Sequence, residues 1–242
     1  MSANRREWLV GLSSLGAGAI LTGCNRSGST EANEVRKADA TGEPEVTAAE
    51  DLMREHGVLR RALLVYQESA TKLRSAASVA SEPLQKTAKL FRAFGEEYHE
   101  KKLEEVYIFP AVKKAAGAAG GYADVLIAQH QRGREITDFI IAATAGPKIS
   151  TGNVKEFAAA LEALVRMYEH HAAIEDTVVF PAWKETLDAK GLDEMNEKFE
   201  EIEHEQFGKD GFENALKQMA EIEQSLGLSD LAQFTAPAPP PI

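Results

Sequence analysis

The chain carries a single cysteine, Cys24. One cysteine excludes an intrachain disulfide framework and any cysteine-based zinc or iron–sulfur site. Basic residues are also scarce: 27 Lys and Arg stand against 38 Asp and Glu, for a formal charge of −11. Phosphate backbones are held by clustered cations, so an acidic surface of this kind argues against nucleic acid as a partner. Alternating runs of β-branched residues, the mark of half-buried strands, are few beyond Thr47. Long apolar runs are missing too. The longest mostly apolar stretch, Leu9–Leu21, is too short for an ordinary membrane span.

That stretch has a polar start with Arg5-Arg6 and ends in Leu21-Thr22-Gly23-Cys24, the order of a secretory signal. Asn4-Arg5-Arg6-Glu7-Trp8-Leu9 resembles a twin-arginine signal, and Leu-Thr-Gly-Cys resembles a bacterial lipobox, whose cysteine becomes the acylated first residue. Residues 1–23 are therefore expected to be a signal peptide and Cys24 a lipid-anchored start. Residues 24–45 would then form a flexible tether, rich in Ser, Glu, Gly and Ala. The expected location is the periplasmic side of a bacterial envelope.

From Thr47 on, Ala, Leu, Glu, Lys and Arg recur at helical spacing, interrupted at Pro83, Gly117–Gly121, Gly146-Pro147 and Gly191. The pattern predicts helices over about 47–76, 83–116, 121–145 and 151–188, and a shorter one over about 191–226. The expected fold is all-α: an up-down-up-down four-helix bundle over 46–190, a C-terminal helical extension over 191–234, and an extended Pro-rich tail over 235–242.

The strongest signal is an internal repeat. His99-Glu-Lys-Lys-Leu-Glu104-Glu105-Val-Tyr-Ile-Phe109-Pro110 recurs as His170-His171-Ala-Ala-Ile-Glu175-Asp176-Thr-Val-Val-Phe180-Pro181. Each copy falls on a long predicted helix, so two sets of imidazole and carboxylate donors would face each other across a bundle, which is how metal sites are built in bundle cores. Imidazole with carboxylate suits iron, manganese or zinc. The other histidines also fall at usable places: His56 on the first helix, His130 on the third, and His204 beyond the four.

A lone His on the first helix, His plus carboxylate ending in Phe-Pro on the second, a lone His on the third, and the same ending on the fourth: in this order the chain resembles the hemerythrin-like (HHE cation-binding) family over about residues 47–190. The resemblance implies His56, His99, Glu104, His130, His171 and Glu175 as ligands of two non-haem irons, with the two glutamates bridging. It implies O2, NO or peroxide as the small ligand, for carriage, sensing or protection.

One spacing departs from the family pattern, which usually puts Glu four residue steps after His. His99 and Glu104 are five apart, and in a regular helix that leaves them about 140° apart around the axis. A one-residue π-bulge near Lys101 or Lys102 is predicted to restore a shared face, with Glu100 as the fallback donor. In the second copy His170 is five from Glu175 and His171 four. His171 is the expected ligand and His170 the substitute. For His204 a supporting role is expected ahead of ligation. Lys101, Lys102 and Glu105 read as a solvated helix face.

Other readings stay open. Glu96-x-x-His99 and Glu201-x-x-His204 have the spacing of ferritin-like di-iron proteins, which would leave His56, His130 and the His170-His171 pair idle. The same ligands could serve a di-iron oxidase or peroxidase, and polar residues lining the open position would favour that. A bundle without metal could serve as an anchored interaction module, with His99 and His171 then facing solvent. No general acid, nucleophile or organic-substrate pocket is evident, so a binding protein is expected rather than a turnover enzyme.

Overall fold

The computed structural model describes residues 46–150, 152, 154–209 and 211–240. The expected signal peptide and tether, with Cys24, lie outside them. Among the described residues, six long helical runs make up the unit that begins at Thr47, and there is no strand.

Helix α1, Ala48–Arg74, starts at a capping box. Thr47 Oγ1 accepts from the Glu50 amide at 3.3 Å, and the Glu50 carboxylate accepts from the Thr47 amide at 2.8 Å. One buried stripe along it carries Leu52, Glu55, His56, Leu59, Leu63 and Tyr66. The second helical run, α2, has three consecutive stretches: Ser81–Leu90 is α-helical, Phe91–Ile108 is π-helical, and Phe109–Lys114 is α-helical again. A 3₁₀ turn at Ala118–Gly121 leads into α3, Ala123–Ala143. The fourth run, α4, repeats the plan of α2, with α-helix at Val154–Ile174, π-helix at Glu175–Val179 and α-helix at Phe180–Lys184.

Within these four runs α1 packs along α4 and against α2, while α3 packs against both α2 and α4. Leu52, Tyr66, Phe91, Phe94, Leu103, Phe157, Leu161, Phe180 and Trp183 are among the buried core side chains. By area removed from water, each large apolar side chain contributes about 1.5–3 kcal/mol.

A single C-terminal helix over 191–226 was expected, and the structure has two: α5, Ala189–Phe207, capped by Asp188, and α6, Gly211–Leu226. The break comes at Gly208, whose φ of +76° is costly for other residues. The buried Glu203 carboxylate accepts from the Phe212 amide at 2.6 Å, satisfying a free N–H at the start of α6. Both helices pack against α1 and α2. Arg61 on α1 makes a two-pronged ion pair with Glu223 on α6 at 2.8 and 2.6 Å. Residues 235–240 are exposed and without regular structure. No described helix is long and apolar enough to cross a membrane.

Candidate metal centre

Six donor residues meet in the interior, drawn from all four of the first helical runs: His56 from α1, His99 and Glu104 from α2, His130 from α3, and His171 and Glu175 from α4. All are 3% exposed or less. The histidines form two pairs. The rings of His56 and His99 are 4.7 Å apart and those of His130 and His171 4.8 Å. The carboxylates lie between the pairs. Glu104 Oε1 is 3.2 Å from His99 Nε2, and its Oε2 is 3.3 Å from His130 Nε2. Glu175 Oε2 is 3.5 Å from His56 Nε2 and 3.0 Å from His171 Nε2. Each glutamate thus touches one histidine of each pair.

Helix hydrogen bonding explains how two unequal spacings give one site. In the first copy His99 and Glu104 lie inside the π-helical stretch, where the bonded turn spans five residues, so a separation of five places both side chains on one face. The expected one-residue bulge is instead part of a longer π-helical run. In the second copy His171 and Glu175 are four apart, with the intervening turn α-helical, and π bonding begins only at Glu175. In both copies the carbonyl of the donor glutamate takes the last five-residue bond, from the amide of Phe109 to Glu104 and from that of Phe180 to Glu175. Proline follows in each case. Having no N–H, Pro110 and Pro181 have no bond to misplace where the register returns to α. The phenylalanines pack on the site as well: Phe109 lies 5.5 Å from the His130 ring, and Phe180 stacks 5.3 Å from that of His56.

Each histidine is held by its outward nitrogen. His56 Nδ1 is 2.7 Å from Asp176, His99 Nδ1 2.7 Å from Glu55, His130 Nδ1 2.9 Å from Glu105, and His171 Nδ1 2.9 Å from the Gln129 side-chain oxygen Oε1. All four partners are acceptors, so each Nδ1 donates its hydrogen and each Nε2 faces the centre. Glu105 is therefore no part of a solvated face: it is half-buried and also pairs with Arg134 at 2.7 Å. Sequence reasoning missed these four partners. A signal was present, since Glu55 precedes His56, Gln129 precedes His130, and Glu105 and Asp176 follow the donor glutamates.

Burial alone would drive the charged forms out, but the mutual attraction of the cluster outweighs it. His99 is held well above the usual histidine range by Glu104 and Glu55 against the opposing effect of burial, and His130 is raised to about 10 by Glu100, Glu104 and Glu105. Glu104 is held well below the usual carboxylate range, chiefly by His99 and His130 once the cost of burial is overcome.

His170 and His204 stand apart from this cluster, for both are solvent-exposed. His170 lies one residue, about 100° around the α-helix, from the inward-facing His171. His204 is on α5, outside the four runs that supply the donors. Glu100 is buried beside the centre: its Oε1 accepts from the Tyr168 hydroxyl at 2.7 Å, its Oε2 accepts from Arg134 at 3.1 Å, and with Glu105 and His130 it makes up a further group that could hold a cation. Glu96 pairs with Thr137 and Arg92 rather than with the cluster, so the ferritin-like Glu-x-x-His arrangement is not assembled.

The donor set fits a metal cation. Both carboxylate oxygens of Glu104, both of Glu175, and His99 Nε2 are buried with no hydrogen-bond partner, and such groups cost several kcal/mol unless charge compensates them. One donor group comprises Glu104, His130, His171 and Glu175 and another His56, His99 and Glu104, with Glu104 common to both. Beside them is a cavity of about 10 Å³, lined by Leu59, Leu63, Ala172, Arg60, Glu100 and Tyr168 together with donor residues.

An all-helical protein with a buried cluster of histidines and glutamates belongs to the class of metal-binding helical proteins. More narrowly, the chain matches the family model described as hemerythrin HHE cation binding domain over residues 47–183 and again, in an overlapping alignment, over 123–235. The first match spans more than half of the chain, which belongs to this family. Uncharacterized proteins of Mycobacterium tuberculosis and Mycobacterium bovis are each 42% identical to it over 234 residues, covering 95% of this chain and 90% of theirs. No solved structure matches it.

Proposed function

We propose that the protein carries a non-haem di-iron centre that binds O2, NO or peroxide in the cell envelope. The observation that carries this reading is the pair of buried carboxylates, Glu104 and Glu175, each placed between the two histidine pairs with the Nε2 atoms of those histidines as its near neighbours. His56 and His99 would hold one ion, His130 and His171 the other, and the glutamates would bridge them. Such a pair of irons supplies two-electron exchange with a small oxygen or nitrogen ligand. The protein fixes the four imidazoles through Asp176, Glu55, Glu105 and Gln129, and keeps bulk water away with Leu59, Leu63, Phe109 and Phe180. Nitrogen and oxygen donors also suit manganese or zinc, so metal analysis is part of the test.

A cavity of about 10 Å³ has room for roughly one water-sized molecule, which favours a diatomic ligand over an organic substrate. Glu100 and Tyr168 in its wall favour a second reading, an oxidase or peroxidase built on the same ligands. The metal-free interaction module draws no support, because His99 and His171 are buried. The four helical runs are read as an up-down-up-down bundle, supported by their succession of neighbour contacts. Export and lipid anchoring at Cys24 rest on the sequence signals, and radiolabelled fatty acid incorporated into the wild type but not into Cys24→Ala would support them.

The deciding experiment is metal content and visible spectrum of the protein, reduced without air and then exposed to O2. Two irons per chain with a charge-transfer band that appears with O2 support the di-iron reading, and loss of that band on removing O2 favours a carrier over an oxidase. A folded, colourless protein with no metal overturns the reading.

A further inference from the structure

The cavity beside the donor cluster has a hydrogen-bonding polarity of its own. Two polar side chains in its wall, Tyr168 and Glu100, belong to neither histidine pair, and they are bonded to each other at 2.7 Å. Glu100 Oε2 takes a hydrogen bond from Arg134 at 3.1 Å, and a guanidinium can only donate, so this carboxylate acts as an acceptor. In its bond to Glu100 Oε1 the Tyr168 hydroxyl is the donor. A phenol has one hydrogen, and this one is spent.

What Tyr168 has left for the cavity is an oxygen lone pair. The hydroxyl cannot easily move away to change this. Tyr168 is 3% exposed, its ring packs edge-on against Phe91 at 5.0 Å, and a Cβ on Gly133 of α3 would lie only 2.0 Å from its oxygen. The rest of the wall offers little to an acceptor. Leu59, Leu63 and Ala172 have no polar side-chain atom, and the Nδ1 hydrogens of His56, His99 and His171 go to Asp176, Glu55 and Gln129. Arg60, the remaining cation of the wall, ties Nη2 to Asp176 and keeps its other N–H groups on a side chain that is 42% exposed.

We infer that the cavity is built for a small ligand that donates a hydrogen bond, hydrogen peroxide by chemical class, with Tyr168 as the acceptor that receives it and Glu100 as the residue that holds Tyr168 in that role. Ligands that can only accept, such as azide, gain nothing from Tyr168 or Glu100. The inference rests on the proposed metal centre and narrows its ligand.

The test uses the full iron-loaded, oxidised protein and the variant Tyr168→Phe, which keeps the ring and the net charge. Binding of hydrogen peroxide by rapid mixing and of azide by titration is followed in the visible spectrum. One lost hydrogen bond should weaken peroxide binding about 5-fold, while azide stays within about 2-fold of wild type or tightens. Weaker azide with unchanged peroxide would show that the hydroxyl donates into the cavity and would overturn the inference; so would two unchanged affinities. Should the variant misfold, the wild type still decides. The infrared stretch of bound azide should be the same in H2O and D2O, because no O–H reaches it, and a solvent-isotope shift counts against the assignment. A chain that takes up no iron defeats the metal centre itself, an outcome separate from any of these.

Discussion

His130 Nε2 and His171 Nε2 face each other at 3.1 Å, although both rings have already committed their Nδ1 hydrogens, to Glu105 and to Gln129. Two neutral imidazoles in that arrangement would point lone pair at lone pair. Either a proton or a metal ion must sit at such a place. In the metal-free chain protons do so: His99 is held well above its ordinary value and His130 at about 10, in both cases by carboxylates that outweigh burial. Metal requires the deprotonated nitrogens. Adding Fe(II) anaerobically to the metal-free protein near pH 7 should therefore release about two protons per chain. A weakly buffered titration with a pH indicator reads them, and uptake of iron without proton release would contradict this account.

Glu175 is the donor whose loss should be most telling. Replacing it by Ala removes a carboxylate that touches His56 at 3.5 Å and His171 at 3.0 Å, one from each histidine pair. Bound metal should fall by at least one ion per chain, while far-ultraviolet dichroism remains helical because α1 to α4 keep their apolar contacts. Elemental analysis after dialysis provides the count. Unchanged metal content would remove Glu175 from the site.

Glu55 acts on the centre through His99. It accepts from His99 Nδ1 at 2.7 Å and from the Tyr98 hydroxyl at 3.0 Å, and Tyr98 in turn packs edge-on against Phe207 of α5 at 5.2 Å. Glu55→Ala should lower metal affinity by about 10–100-fold, the usual effect of losing the group that orients a ligating histidine. Tyr98→Phe should cost less, since Glu55 keeps His99. Competition with a chromogenic chelator measures both, and equal affinities in wild type and Glu55→Ala would refute the role.

Much of this centre was legible in the chain because its chemistry is carried by rare residues in a repeated order. There are six histidines, and two copies of one motif end in Phe-Pro. The helices were legible through their breaks, Pro83 falling in the first turn of a helix that starts at Ser81. The extent of the π-helical stretch was not, since the sequence shows only that five residues separate His99 from Glu104, and one extra residue can be absorbed by one turn or by several. Glu105 was misjudged for a different reason. Glutamates beside lysines on a helix usually face water, and only the approach of His130 and Arg134 from α3 makes this one inward. Gly208 was visible as well, but a glycine inside a helical pattern is commonly tolerated, and its positive φ is a property of the folded chain alone.

Two glycines beside the centre should respond to alanine in opposite directions. A Cβ at Gly57, in the middle of α1, would meet nothing within 4 Å, so Gly57→Ala should stabilise the protein by about 0.5–1 kcal/mol through helix propensity. At Gly133 a Cβ would fall 2.0 Å from the Tyr168 oxygen and 2.8 Å from its ring, so Gly133→Ala should destabilise by about 1–3 kcal/mol as α3 is forced away from α4. Urea midpoints of the two variants give the signs. Stabilisation by Gly133→Ala would mean that the two helices do not approach as described.

Glu96 sets a pH dependence that is separate from the histidine–glutamate cluster. Its side chain is fully buried, Thr137 donates to it at 2.6 Å, and Arg92 lies 2.9 Å away. Burial nevertheless pushes its carboxyl up to about 7, with Glu100 adding to the rise and Thr137, Arg92 and Arg134 opposing it. The folded chain therefore holds a proton here between about pH 4.5 and 7 that the unfolded chain has already lost. Folding is favoured below that window and loses this contribution as pH rises through it, by about 3 kcal/mol over the whole span. Glu96→Gln keeps the shape and removes the titration. The stability of wild type minus that of the variant, from urea unfolding, should accordingly fall by a few kcal/mol between pH 5 and pH 8. A difference that stays constant, or that grows with pH, would show that Glu96 is already charged across this range and that Arg92 and Thr137 compensate its burial in full.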